Sequence, residues 1–555
     1  MNKVMPIGTE YFAKLRNNNY YFVDKTTFLS EFFRGHADVT LLTRPRRFGK
    51  TLLMSMTQQF LDIEDAEEHR KLFEGLKVMD DPVAMAEQGT RPVIFLTLRD
   101  WDSNTWESMQ EFIAFGLQDV CQNFRFLGES DKVSQEDKEA FHTLLWRKGD
   151  LGLMRRALTL FCKMLRNHYG RNAVLLIDEY DAPLQSAWSH GYYDEAIDFY
   201  RGFFASALKS NPALDFSILT GVLRIAKESI FSGLNNLEVS TVFKGGFADA
   251  CGYTKEEIAK LAHDLGRDDK LEELADWYDG YNFQGMEIYN PWSVNNYFKQ
   301  NCEAEAYWVN TSGNDIIQTL LSQADEERWG ELQSLLTGGT VTTAISEGVI
   351  YSAIGKNSGD IYTMLLQTGY LKAIGSVRLS SSERMYELAI PNREIRYLFQ
   401  KEIMNRVDRS YGVVSFYKMG LALQQGRAED FQRIFQGILL RAVSSHDVAN
   451  PESFYHGLML GCVLYYEQDY RVVSNRESGY GRFDLAMLPK KGELPGVIME
   501  FKAVKEEDEL EAAADDALKQ IEKKAYVTEL EAAGVQPIWR YGIAFCKKRV
   551  FVKAG

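Results

Sequence analysis

Residues 44 to 51 read RPRRFGKT, set between the apolar run VTLLT (39 to 43) and the helical run LLMSMTQQFL. A strand that turns through Gly49 into a helix aims backbone N–H groups and the positive end of the helix at one point, which suits the β- and γ-phosphates of a nucleotide. In that reading Arg47, Phe48 and Gly49 form the turn, Lys50 reaches the phosphates and Thr51 holds Mg²⁺. Further along, AVLLIDEYDAP delivers Asp178 on an apolar strand to the Mg²⁺ shell. Glu179 follows it, placed to polarise an attacking water. A third run, DFSILTG, ends in Thr220, a candidate sensor of the γ-phosphate, and leads to Arg224, a candidate arginine finger. A polar strand end and a surface arginine are equally good readings of that last pair. One departure stands out: the pattern G-x-x-x-x-G-K-S/T calls for glycine where this chain has Arg44.

A second group lies near the C-terminal end. On a strand, residues two apart share a face, so Glu500 and Lys502 of GVIMEFKAV point together while Phe501 packs behind them. Asp484 of RFDLAML can join Glu500 in holding Mg²⁺ or Mn²⁺ through oxygen ligands, with the Phe501 carbonyl as a third. Such a cation would stabilise charge on a scissile phosphate, and Lys502 would orient the water. A Glu and a Lys at this spacing on an exposed strand would otherwise be a solvated ion pair. His456 reads as a packed or capping histidine rather than a base. The acidic stretch 505 to 516 reads as a solvated helix start, with acids at the positive end of the dipole.

The elements that must position these groups follow from pattern. VTLLT, PVIFLTL (92 to 98), AVLLIDE (173 to 179) and DFSILTG (215 to 221) alternate with helical stretches such as 153 to 168, as in an α/β domain with a mainly parallel sheet. Near residue 250 the texture becomes helical, opened by a T-x-x-E capping box at Thr254. Helices are expected around 315 to 337 and 392 to 406, with a short strand at YTMLL (362 to 366) between them. After residue 411 come helices at 429 to 440 and 452 to 466, strands RVVSNRE, RFDLAML and GVIMEFKAV, a helix at 508 to 524, and strands RYGIAFC and RVFVK. Three domains are therefore expected, at 1–250, 251–410 and 411–555.

With 555 residues, 45% hydrophobic and 25% charged, the chain can bury several cores and is neither disordered nor a disulfide scaffold. The six cysteines lack zinc-ligand spacing and read as reduced thiols. No signal peptide or membrane-length apolar run is evident, which places the chain in the cytoplasm, with no membrane partner. A net charge of −15 disfavours a histone-like or tail-driven mode of nucleic-acid binding, so any such site is a local basic groove.

YFVDKTTFL (21 to 29), RPRRFGKT, LLIDEYDAP and TGVLRIAKESIFSGLNN (220 to 236) together resemble the bacterial AAA-ATPase-like proteins, a P-loop family that usually carries RPRRFGK in place of the glycine-led loop. The resemblance covers residues 5 to 240. It implies a P-loop NTPase parallel-sheet domain that takes ATP, makes Arg44 typical, and implies that Asp24 and Lys25 lie near the nucleotide. Residues 415 to 555, in the order αβββαβ and including SNRESGYGRFD, resemble the PD-(D/E)XK nuclease superfamily, a restriction-endonuclease-like α/β fold. The proline of that name is replaced by Phe483. This resemblance adds Glu477 as a further acid, Arg476 and Arg482 as phosphate contacts and Gln520 as a supporting residue. It implies a nucleic-acid partner, DNA being preferred, while a homo-oligomer is compatible but not specified. Together the two resemblances imply ATP-gated, metal-dependent cleavage of DNA. A nucleotide-controlled sensor or scaffold that binds without cutting, and an ATPase acting on proteins in a ring, are the alternatives.

Overall fold

The computed structural model describes residues 4–225, 230–231, 236–308, 317, 326–345, 358–378, 384–407, 412–442, 451–467, 469–478, 481–491, 494–523, 527–532 and 534–555. The chain divides into two compact units. The first takes residues 1–312, 343–386 and 391–394, and the second takes 313–342, 387–390 and 395–555.

In the first unit, five strands form a parallel sheet: β1 (Val39–Thr43), β2 (Val93–Thr97), β3 (Ala173–Asp178), β4 (Leu214–Gly221) and β5 (Leu237–Ser240), in the order β2-β3-β4-β1-β5. β1 and β3 are buried at every position, which explains their near-continuous apolar sequences: a parallel strand covered on both faces has no polar side. The helix Leu151–Tyr169 starts where the Asp150 side chain accepts from Leu153 N at 2.8 Å. It stops at Gly170, whose φ of +70° closes the last turn. Four of the five strands fall where the apolar runs predict them. β5 was not anticipated, because LEVS is an edge strand buried only at its last residue.

Beyond the sheet the first unit is mainly helical, and the predicted capping box is present: Thr254 accepts from Glu257 N while Glu257 accepts from Thr254 N. A small antiparallel sheet of β6 (Tyr253–Thr254), β7 (Tyr281–Phe283) and β8 (Met286–Tyr289) accompanies these helices. The strand expected at YTMLL is instead part of the helix Ser358–Gln367. Residues 361 to 367 of that helix are all buried, and the five residues YTMLL taken alone are too short a run to show a helical period. Strands β9 (Val341–Ala344) and β11 (Arg384–Ala389) fall where the chain passes between the units, while β10 (Lys372–Arg378) lies in the first.

The second unit holds a five-stranded mixed sheet of β12 (Tyr470–Ser478), β13 (Gly481–Pro489), β14 (Gly496–Ala503), β15 (Ile538–Cys546) and β16 (Arg549–Ala554) in sequence order. Only β14 and β15 are parallel, and the helix Leu510–Lys523 joins them. Ile521 of that helix packs on Ala486, Leu488 and Ile498 on one face of the sheet. On the other face, Phe545 stacks on Tyr455 of the helix Pro451–Val463 at 4.0 Å. All six cysteines are buried and free, and among the described residues no helix is long and apolar enough to cross a membrane.

Candidate functional site

Because the five strands of the first sheet are parallel, their C-terminal ends meet along one edge, where ligands of open α/β sheets are bound. The loop after β1 and the ends of β3 and β4 all lie there. Gly49, at φ +92°, starts the helix Lys50–Leu61 without any side-chain cap, and a Cβ added to it would meet nothing within 4 Å. The helix start is thus uncapped by any side chain and open around Gly49, as an anion cradle requires. Lys50 is buried, and its ammonium donates to the carbonyls of Arg44 and Pro45, each at 3.0 Å, folding the side chain back over the loop. Thr51 Oγ1 donates to Asp178 Oδ2 at 2.7 Å, joining the loop to the end of β3. Asp178 is fully buried and also accepts from the Thr220 hydroxyl of β4.

Glu179 leaves β3 with φ +54°, a left-handed conformation that costs a non-glycine residue about 1 kcal/mol or more. Burial raises its pKa, opposed by the positive charges of Lys50 and Arg99. Burial also lowers the pKa of Lys50, opposed by Glu179, Asp178 and Asp181. The two groups therefore share one poorly solvated space, and the charge of each opposes the effect of burial on the other.

Arg44 does not enter this space. Its side chain is fully buried and donates to Thr43 O at 2.9 Å, Phe247 O at 2.7 Å, Ser240 Oγ at 3.1 Å and Ser240 O at 3.3 Å. Burial pulls its pKa down to about 10, which leaves it cationic near neutrality. Arg44 is thus a strut from the loop to β5 and the segment after it.

The other predicted nucleotide residues are placed as follows. Phe48 buries its ring against Tyr281 at 4.9 Å and Phe283 at 5.2 Å, leaving only its main chain for the loop. Arg47, at φ +69°, lies over the Trp292 ring at 4.4 Å. Arg224 follows β4, with its charge near the buried Tyr180 hydroxyl. Asp24 is occupied as a turn residue, accepting from Thr26 N and Lys77 N, and Lys25 pairs with Glu257 at 2.5 Å. Two residues at this edge escaped the sequence reading. Asp181 accepts from Val222 N at 3.0 Å and Leu223 N at 2.7 Å, fixing the exit from β4. Arg99, just after β2, reaches Thr51, Glu179 and Glu10.

In the second unit, Leu485 lies opposite Met499, which sets Asp484 beside Glu500 where the ladder ends. Asp484 Oδ2 accepts from Phe501 N at 2.8 Å. Glu500 is 2% exposed; its Oε1 accepts from the Gln520 amide and lies 3.7 Å from Lys502 Nζ. Phe501 points to the opposite face, toward His456 at 5.4 Å and Phe545 at 6.0 Å. Asp484, Glu500, Lys502 and Gln520 are thus brought together. His456 donates from Nε2 to the Asp484 carbonyl at 2.7 Å, and burial lowers its pKa, consistent with a packed neutral imidazole. Arg476, Glu477 and Arg482 belong to the paired ends of β12 and β13, but their side chains lie outside the described residues. Residues 505 to 509 are exposed, as a solvated helix start should be.

A buried carboxylate beside a second one, supported by an amide and an ammonium, fits a hard divalent cation. Among the described residues, however, no group of three or more His, Cys, Asp or Glu side chains could hold a metal ion. At the first site a hydroxyl, a buried carboxylate and a lysine beside an uncapped helix start fit Mg²⁺ and phosphate together.

Comparison with known proteins finds family matches over both parts of the chain. Residues 6–231 match the AAA-ATPase-like family, described as predicted AAA-ATPase, and residues 450–555 match the PD-(D/E)XK nuclease superfamily. A protein of Azotobacter chroococcum mcd 1, described as an uncharacterized protein in the vnfD 5′ region, is 27% identical over 564 residues, covering 98% of this chain and 97% of its own length. No solved structure matches the chain. The resemblance read from RPRRFGKT and from the C-terminal strands therefore holds at both ends.

Proposed function

We propose that the chain binds and hydrolyses ATP at the loop of residues 44 to 51, and that nucleotide occupancy gates metal-dependent cleavage of DNA at Asp484, Glu500 and Lys502. The observation that carries the reading is the 2.7 Å hydrogen bond from Thr51 to Asp178, which joins residues 127 positions apart at one sheet edge. Thr51 and Asp178 would hold Mg²⁺, which supplies charge for the β- and γ-phosphate oxygens. Lys50 would exchange its loop carbonyls for phosphate oxygens. Thr220 would keep Asp178 oriented, and Glu179 would take a proton from the attacking water. Burial raises the pKa of Glu179, and the positive charges of Lys50 and Arg99 oppose that rise. Arg224 is the arginine this reading assigns to transition-state charge, and Arg47, Phe48 and Gly49 supply the loop.

In the second unit Asp484 and Glu500 would hold Mg²⁺ or Mn²⁺, which supplies charge stabilisation at the scissile phosphate. Gln520 fixes the Glu500 carboxylate, Lys502 orients the water, and Arg476, Glu477 and Arg482 are assigned to the nucleic acid and the acidic set. One observation favours a second reading, a nucleotide-controlled module that binds nucleic acid without cutting. The described side chains supply two carboxylates at this site, short of a three-ligand cluster.

Retention of a fluorescent ATP analogue and release of phosphate test the first half. Lys50→Ala is expected to weaken retention at least about tenfold, and Glu179→Gln to retain nucleotide while losing hydrolysis about 100-fold or more. Unchanged retention in Lys50→Ala would refute the site.

A further inference from the structure

Arg99 lies two residues past β2, on a turn hooked to the end of β3 by the hydrogen bond from Leu98 N to Asp178 O at 2.9 Å. Its guanidinium spreads over the face that the nucleotide reading assigns to metal and water. Nη2 donates to Thr51 Oγ1 at 2.8 Å and lies 3.9 Å from Asp178 Oδ2, while Nε lies 3.5 Å from Glu179 Oε1. The fourth contact leads away: Nη1 donates to Glu10 Oε2 at 2.6 Å. Glu10 is itself fixed, because Phe12 N two residues later donates to Ser55 Oγ at 3.0 Å on the helix that Lys50 begins. One cation therefore touches a hydroxyl and three carboxylates, on a frame tied to both β3 and the loop helix.

A Thr51 hydroxyl that is to hold Mg²⁺ together with Asp178 cannot keep the guanidinium at hydrogen-bond distance at the same time. Two cations would compete for the same oxygens, and in a partly buried site their repulsion is poorly screened. Glu10, already bonded to Nη1, offers the guanidinium a carboxylate outside the Thr51 and Asp178 pair. We propose that Arg99 is a built-in counter-ion that holds the place of Mg²⁺ at Thr51 and Asp178, and that Mg²⁺ drives it from Thr51 toward Glu10. The proposal rests on the nucleotide reading of this edge. In metal-free conditions Arg99 is then a surrogate cation for nucleotide phosphate; with Mg²⁺ present it is displaced and contributes little to affinity.

The test is the affinity of the full-length chain for a fluorescent ATP analogue, read by anisotropy in EDTA and in saturating Mg²⁺, with the ratio of the two dissociation constants as the readout. Arg99→Gln removes the surrogate, so the ratio of the EDTA to the Mg²⁺ constant should rise about tenfold, an ordinary size for coupling between two bound ligands. Glu10→Gln leaves Arg99 free to bind phosphate and to resist Mg²⁺, so the ratio should fall. Arg99→Lys, with one charge on a less branched reach, should fall between Arg99→Gln and wild type. Shifts of opposite sign cannot come from general loss of folding. A ratio that Arg99→Gln leaves unchanged, or that both neutral variants move the same way, overturns the proposal. Wild-type protein that retains no analogue in either condition overturns instead the nucleotide reading beneath it.

Discussion

Arg44 shows what a single residue can hide. The glycine it replaces would normally let the loop close tightly, yet the arginine leaves the loop and spends its donors on the carbonyls of Ser240 and Phe247. Restoring the consensus is therefore expected to do harm. Arg44→Gly leaves those buried acceptors with only the longer bonds from Thr43 Oγ1 at 3.5 Å and Ala250 N at 3.4 Å and removes a fully buried side chain, and should lower stability by about 2–4 kcal/mol without tightening nucleotide binding, as read by urea denaturation and analogue retention. The residues of this site were legible in the sequence where a motif fixes spacing: Gly49, Lys50, Thr51 and Asp178 meet as expected. Arg99 and Asp181 were not, because an arginine after an apolar strand and an aspartate three residues past another have no diagnostic spacing. Their roles arise only once sheet order puts the ends of β2, β3 and β4 side by side.

Elements carry the second site. Glu500 sits opposite Gly542 in the parallel ladder of β14 and β15, and the helix Leu510–Lys523 crosses directly above. A Cβ on Gly542 would lie 2.1 Å from Ala514 O and 2.8 Å from Leu518 N, so only glycine lets the helix come this close. The helix in turn brings Gln520 to Glu500. Gly542→Ala should lift the helix, draw Gln520 off the carboxylate and lower stability by about 1–3 kcal/mol. It should also reduce cleavage more than the Gln520→Ala change does, checked by denaturation and cleavage rate in parallel. The order of these elements was readable because each strand has an apolar run bounded by polar turns. Where burial is continuous, as over residues 361 to 367, a short apolar run such as YTMLL reads as a strand although it belongs to a helix. Where burial is slight, as at the edge strand β5, no apolar run exists to read.

At the scale of the whole molecule, Glu394 is the last residue of the first unit before the chain continues into the second. It is fully buried, accepting from Ser293 Oγ at 2.8 Å and Trp308 N at 2.7 Å, and burial pushes its pKa up to about 7. An unfolded glutamate titrates near about 4.3, so between roughly pH 4 and 7 the folded protein keeps a proton that the unfolded chain has released. That stabilisation is complete below this window and is lost as pH rises through about 7. Asp62, pushed to about 7 by burial, works in the same direction. Glu394→Gln should therefore gain stability relative to wild type between about pH 5 and 8, on the order of 2 kcal/mol, in paired urea titrations. The most direct test of the central claim is cleavage of supercoiled plasmid by the purified chain with Mg²⁺ or Mn²⁺, with and without ATP. Alongside wild type, Asp484→Ala should abolish cutting and Lys50→Ala should remove only its dependence on ATP; nicking that survives Asp484→Ala, or wild-type cutting indifferent to ATP, would contradict it.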